Sequence, residues 1–179
     1  MATIKIFRYT GTTPDEHDIT SQNTLLQAAD IHETEAASNP IVVPETGENM
    51  SFWASARLRV TENEQNHTIN NMKWYTDGSN DLGTGLNVDV ALASAYDQAV
   101  GDEGVAGSAI DGNHGHIISA PADAFNYTSE SPLDIDATAP STTGTGDIGD
   151  YVVCQGKVGA SNLGGESNQE EVVFQWDQQ

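Results

Sequence analysis

The chain has little cysteine, few basic residues and no long apolar run. Cys154 is the only cysteine among 179 residues, which excludes an intrachain disulfide. Because it lies in the apolar run YVVCQGKV, we expect a buried structural thiol. No apolar run approaches the ~20 residues that span a bilayer, and MATIKIFRYTG lacks the basic and apolar regions of a secretory signal. These absences predict a protein that is soluble or carried in a larger particle, with no membrane contact.

The charge is strongly one-sided, with 6 basic against 27 acidic residues and a formal net charge of -21. Such a chain repels free nucleic acid and anionic membranes, so neither is an expected partner. One interpretation is adaptation to high salt, where screening weakens self-repulsion. The other is an acidic outer surface that keeps particles apart. The acids are spread along the whole chain, which favours the halophilic interpretation.

Catalytic signatures are also missing from the sequence. It contains no G-x-S-x-G nucleophile elbow, no phosphate-binding G-x-x-x-x-G-K-[ST] loop and no H-E-x-x-H zinc motif. Carboxylates are so abundant that choosing a glycosidase-like pair among them would have no basis. We therefore expect a protein that is not an enzyme.

Alternation of apolar and polar residues with a period of two is the clearest structural signal, and it predicts half-buried strands. It occurs in SFWASARLRVTE, LNVDVALA, YVVCQGKVG and EEVVFQWD, and an N-terminal strand is expected in ATIKIFRY. In HTINNMKWYT, a bulge at Asn70 and Asn71 would bring Ile69, Met72 and Trp74 to one face. The expected core comprises Phe52, Leu58, Val60, Trp74, Val88, Val90, Val152, Phe174 and Trp176.

These patterns predict one all-β domain over residues 1–179, an antiparallel β-sandwich of the jelly-roll or immunoglobulin-like kind. No alternation of strands with helices indicates a parallel sheet. The segment SQNTLLQAADIHE could form one or two helical turns. A long acidic loop, rich in Gly, Ser, Thr and Asp, is expected at about 100–148, with one short strand at NHGHIIS.

The loop DGSNDLG is a candidate cation site. Asp77, Ser79 and Asp81 follow each other at spacing two, a pattern of oxygen ligands that suits Ca²⁺ or Mg²⁺. The pattern departs from a calcium-binding EF-hand loop, which has Gly where this chain has Leu82 and an acid where it has Val88. The alternative is a solvated turn in which Asp, Asn and Gly reverse the chain.

Two histidines form a second candidate site. His114 and His116 in DGNHGHI lie at alternate positions, so that both imidazoles could bind one metal from a strand, with Asp111 adding an oxygen. No third ligand follows at a fixed spacing. A pair of surface-loop histidines is the simpler interpretation.

Arg57 and Arg59 are two of only three arginines, and they alternate on the face opposite the Phe52–Val60 apolar stripe. Arginine forks pair well with carboxylates, which suggests a contact with an acidic neighbouring subunit. Local neutralisation of the acidic surface explains them equally well.

Three segments carry a resemblance to a known class of proteins: FRYTGTTPDEHDIT, PIVVPETGENMSFWASARLRVTE and INNMKWYTDGSNDLGTG. Together with the closing EEVVFQWD, they resemble small β-sandwich structural proteins of tailed-virus particles, among them head decoration, turret, neck and tail components. The acidic, lysine-poor composition is similar to that of viruses of halophilic hosts. The resemblance covers roughly the first half of the chain and implies no catalytic residues.

The resemblance implies a noncatalytic structural protein of a virion, made in the host cytoplasm. It would assemble as an oligomer with copies of itself and with other virion proteins. In that setting, the Asp77–Asp81 loop would bridge subunits directly or through an ion. The alternative from another class is a calcium-dependent carbohydrate-binding or adhesion module that recognises a host surface glycan.

Overall fold

The computed structural model describes residues 1–138 and 141–179. The described residues form thirteen strands and one short 3₁₀ helix at Ala124–Asn126. No helix among them is long and apolar enough to cross a membrane. The strands are β1 Thr3–Thr10, β2 Asp15–Asp18, β3 Glu48–Met50, β4 Ala54–Glu62, β5 Ile69–Tyr75, β6 Leu86–Ala93, β7 Gly101–Asp102, β8 Ala106–Gly107, β9 Ala122–Asp123, β10 Leu133–Asp134, β11 Ser141–Thr142, β12 Gly146–Gly159 and β13 Val173–Gln178.

The larger sheet has nine strands built around β12. On one side, β12 pairs with β4 and then with β3, and on the other side it pairs with β6. Strand β1 continues the sheet beyond β4, and β2 forms its outer edge. A bulge in β12 lies between Ile148 and Val152, where Gly149 adopts a φ of 75° that favours glycine. All of these pairings are antiparallel.

The smaller sheet has four strands and is centred on β5. Strands β10 and β11 pair with one side of β5, and β13 pairs with the other side. The β5–β13 register shifts between Gln175 and Asp177, opposite Asn71, which has a φ of 52°. The predicted bulge is therefore present, and Ile69, Met72 and Trp74 are all fully buried.

A first core lies where residues of both sheets meet. Strand β5 contributes three side chains, and the larger sheet contributes Ile4, Leu58, Val60, Val90, Leu92, Ile148 and Val152. Fully burying one such side chain stabilises the fold by about 1.5–3 kcal/mol. The predicted alternation in β4, β6 and β12 is responsible for this arrangement, because it places the larger apolar residues on one face.

A second core covers the opposite face of the larger sheet. It comprises Tyr9, Phe52, Trp53, Ala91, Ala93, Ala99, Ile110, Tyr151 and Val153. Chain between β6 and β9 supplies Ala99 and Ile110, so this irregular segment shields the sheet from water. Both faces of the sheet are therefore buried, which the period-two pattern did not predict.

The all-β antiparallel class is confirmed, whereas several details of the predicted core are wrong. Phe52 packs in the second core, away from Leu58, because it precedes β4 and does not follow that strand's alternation. Val88, Phe174 and Trp176 are only partly buried, since they pack against the margin of the first core. The β-sandwich, whether of the jelly-roll or the immunoglobulin-like kind, stays a prediction.

The helical turns predicted in SQNTLLQAADIHE are also wrong. This segment has no helix, because its backbone groups bond to distant parts of the chain. The Gln27 carbonyl accepts from the N–H of Phe52, and the N–H of Ala28 donates to the carbonyl of Asn39. Tertiary hydrogen bonds thus replace the local bonds of a helix.

Residues 100–148 contain short strands where the sequence predicted mainly loop. Strands β7 and β8 extend the larger sheet, β9 pairs with β6, and β10 and β11 pair with β5. The expected strand at NHGHIIS is reduced to a single bridge between Ala93 and Ile117.

Candidate functional site

Arg59 lies at the centre of an ion-pair network on the larger sheet. Its Nε donates to Oδ1 of Asp147 at 2.5 Å, while Nη1 and Nη2 donate to the two carboxylate oxygens of Glu16 at 2.6 and 2.7 Å. Nη2 also donates to the Tyr9 hydroxyl at 3.0 Å, and the guanidinium lies over the Phe7 ring. The predicted fork onto carboxylates exists, but its partners belong to the same chain.

Arg57 is likewise engaged within the chain. Its Nε donates to the carbonyl of Gly149 at 2.7 Å, and its guanidinium lies 4.9 Å from the centre of the Tyr151 ring. The arginine thereby holds the bulge of β12 against β4. The subunit-contact role of Arg57 and Arg59 stays a prediction, and local neutralisation agrees better with these contacts.

All six basic side chains have intrachain partners. Lys5, Arg59, Lys73 and Lys157 form ion pairs with Asp18, Glu16 and Asp147, Asp134, and Asp89, respectively. Arg8 is buried and donates to the Thr24 hydroxyl and the Leu25 carbonyl, and burial lowers its pKa to about 10. Among the described residues, five of the 27 carboxylates thus form ion pairs with lysine or arginine. The surface therefore stays strongly acidic.

The predicted cation loop lies in the exposed turn after β5. Asp77 Oδ1 accepts from the N–H of Ser79 at 2.8 Å, and the N–H of Asp81 donates to Oε1 of Glu170 at 2.5 Å. Among residues 1–138 and 141–179, no three His, Cys, Asp or Glu side chains are grouped to hold a metal. The geometry is that of turns closed by side chains, and cation binding by this loop stays a prediction.

The two histidines have different environments. His114 is only 6% exposed and packs near Trp53, with 5.4 Å between ring centroids, so the interpretation of a surface pair is wrong for this residue. Its Nδ1 accepts from the backbone N–H of His116 at 3.2 Å, and burial lowers its pKa. His116 and Asp111 are exposed. Because its ring lies beside Trp53, a member of the second core, we place this histidine at the margin of that core.

Cys154 is a free cysteine that is only partly buried, although the sequence predicted a buried one. The residue packs against the first core, and burial raises the pKa of its thiol to about 12. A thiol with a raised pKa is a poor nucleophile.

A cavity of about 310 Å³ opens beside β12 and is lined by Met50, Asp89, Ile110, Asp111, Gln155 and Lys157, among others. Within it, Lys157 Nζ and Asp89 Oδ2 are 2.5 Å apart. Gln155 is buried and bonded to the Ile110 N–H and to the Ser51 carbonyl. The side-chain amide of Gln155 is therefore already hydrogen-bonded within the chain.

Strand β13 presents the longest free edge in the described part of the chain. It pairs with β5 on one side only, along six residues. The other outer strands are protected: β2 is short and acidic, β7, β10 and β11 have two residues each, and β6 is paired with β9. An unpaired edge exposes backbone donors and acceptors that can pair with another strand.

The side chains of β13 leave the first core incompletely covered. Phe174 and Trp176 point toward that core but are partly exposed, in contrast to Trp74 of the neighbouring strand, which is 1% exposed. Val172, just before the strand, is 47% exposed. An additional strand along β13 would cover this apolar margin.

An acidic cleft of about 380 Å³ lies at the beginning of β13. Its lining combines Tyr75, Thr76, Asp77, Ser129, Glu171 and Val173. Asp77 and Glu171 are exposed, and neither takes part in the ion pairs found among the described residues. The cleft and the free edge together form one surface, which we call the β13 surface.

No family model, curated protein or solved structure matches this chain.

Sequence reasoning identified Asp77 but missed the rest of the β13 surface. Glu171 lies 94 positions further along the chain, and Ser129 comes from a third segment. The pairing of β13 with β5 brings Glu171 near Asp77, and the bond from the Thr76 N–H to the Tyr127 carbonyl brings the segment of Ser129 to the same place. The alternation of apolar and polar residues in EEVVFQWD predicted a strand. Nothing in that alternation distinguishes an edge strand from a central one.

Proposed function

We propose that this protein is a noncatalytic structural component of the particle of a virus that infects a halophilic host. It joins neighbouring proteins of the particle through the β13 surface. The observation that carries the proposal is the unpaired edge of β13, with partly exposed Phe174 and Trp176 along it. The sequence resemblance supplies the viral setting.

Natural sheets have features that prevent uncontrolled pairing at their edges. Edge strands are usually shortened, charged, interrupted by proline or covered. Strand β13 has six residues and contains no lysine, arginine or proline. Its one charged residue, Asp177, bonds to Asn71 of the adjacent strand. An edge of this kind is suited to strand addition, in which main-chain hydrogen bonds supply much of the affinity.

The network around Arg59 supports the same function in another way. It ties β1, β2, β4 and β12 together through Tyr9, Glu16 and Asp147. A sheet held in this manner provides a rigid body from which an edge can be presented. A rigid interface loses less conformational entropy on association.

The proposal is tested on particles from a culture that produces this chain. The particles are banded in a density gradient and their proteins quantified by mass spectrometry. We expect the chain to band with the particles at a constant copy number relative to the main shell protein, and to remain after a salt wash. Recovery only in the soluble cell fraction would contradict the proposal.

A further inference from the structure

We propose that the β13 surface receives an extended segment of a different protein, which pairs with the edge of β13 and places a lysine or arginine side chain in the acidic cleft. The viral setting of this inference rests on the function proposed above. The chemistry of the partner follows from the distribution of charge in the structure.

The cleft is acidic, whereas the basic residues of the chain are engaged elsewhere. Asp77 and Glu171 line the cleft, and Glu170 lies beside them. Four basic side chains form ion pairs elsewhere, Arg8 is buried, and Arg57 is held at the bulge of β12. Among the described residues, a second copy of this chain therefore has no uncommitted lysine or arginine side chain to offer this surface.

The net charge of the chain disfavours a second copy as the partner. Bringing two chains of net charge -21 together edge to edge places like charges close to each other. Like-charge contacts disfavour a partner, whereas complementary potentials favour association and fix its register. A basic segment gains from the carboxylates at the cleft, while an acidic or neutral segment does not.

The cleft and the free edge of β13 are adjacent. Val173 is both the first residue of β13 and part of the cleft lining, so the cleft lies at one end of the free edge. A strand paired along β13 therefore passes the cleft opening, and one of its side chains can enter. The side chains of Tyr75 and Ser129 also line the cleft, whereas the buried Thr76 hydroxyl already bonds to the Tyr127 carbonyl. A cavity of about 380 Å³ accommodates a long basic side chain.

The test uses the full-length protein and three synthetic six-residue peptides of alternating valine and threonine. They differ at one position, which is lysine, glutamine or glutamate. We expect the lysine peptide to bind about tenfold more tightly than the glutamate peptide at roughly 0.15 M salt. It should also slow hydrogen exchange across Val173–Gln178.

The double variant D77N/E171Q should reduce the preference for lysine to about twofold or less. The matched control D102N/E103Q makes the same change of charge at two exposed residues, the last of β7 and the one after it, and it should retain the preference. Equal binding of all three peptides, or protection away from β13, would overturn the inference.

Light scattering separates this inference from the proposed function. If the protein alone forms oligomers through β13 at the same salt, and D77N/E171Q strengthens them, then the partner is a second copy. That result would overturn the basic-segment inference and leave the assembly function in place.

Discussion

Asn71 donates a hydrogen bond from Nδ2 to Oδ2 of Asp177, 2.9 Å away, across the bulge that joins β5 to β13. Asn71 has a φ of 52°, a left-handed conformation that asparagine tolerates better than most residues. This contact fixes the register of the exposed edge strand. It also turns Ile69, Met72 and Trp74 to the same side.

Replacing Asn71 should destabilise the smaller sheet. We expect Asn71→Ala to lower the free energy of unfolding by about 1–2 kcal/mol, because alanine is strained at positive φ and the hydrogen bond is lost. Asn71→Gly should cost less, since glycine accepts the backbone conformation. Urea unfolding measures both. If the glycine variant proves less stable than the alanine variant, backbone strain is not the cause.

The two tryptophans of the smaller sheet should differ in their contribution to stability. Trp74 is fully buried, and Trp74→Ala should cost about 3–5 kcal/mol. Trp176 is partly exposed at the edge, and Trp176→Ala should cost about 1–2 kcal/mol. Chemical denaturation compares the two variants. Equal losses would mean that the edge is covered in solution.

Arg59 should not be replaceable by lysine. The ammonium group cannot reproduce the paired bonds to Glu16 and Asp147, so Arg59→Lys should cost about 1–2 kcal/mol. Lys5→Arg provides the control, because the ion pair of Lys5 with Asp18 is exposed and should change stability by less than about 0.5 kcal/mol. Unfolding at fixed salt measures both, and similar values for the two variants would contradict the importance of the fork.

Salt should stabilise the protein. In the part of the chain that the structure describes, only five of the 27 carboxylates form ion pairs, so the remaining acids repel one another and screening relieves that repulsion. We expect the melting temperature to rise between about 0.05 M and about 2 M potassium chloride. Calorimetric scans across this series provide the measurement. A melting temperature that stays constant or falls would contradict the halophilic interpretation. It would also show that repulsion between carboxylates does not limit stability.

Mild acidification should destabilise the fold through His32 and His114. Burial lowers the pKa of both below the ordinary value of 6.5, so the unfolded chain binds more protons as the pH falls through that region. The free energy of unfolding should therefore decrease from about pH 7.5 to about pH 5.5. His114→Gln should flatten this dependence in thermal melts at high salt.

The candidate site could be predicted only in part. Asp77 was identifiable because closely spaced oxygen ligands are visible in a sequence. Arg59 was identifiable by its rarity and its parity, but its partners were not, since Glu16 and Asp147 meet it only through the order β2–β1–β4–β12. The burial of His114 depends on a loop folding over Trp53, and no local pattern encodes that contact.

The sequence by itself determined the all-β class, the faces of β4, β6 and β12, and the bulge at Asn71. These features follow from local rules, because side chains alternate along a strand and an inserted residue shifts that alternation. Tertiary structure decided which strand lies at an edge, where Phe52 packs and how the six basic residues are paired. Those features depend on contacts between residues far apart in the chain, which a pattern confined to neighbouring residues does not contain.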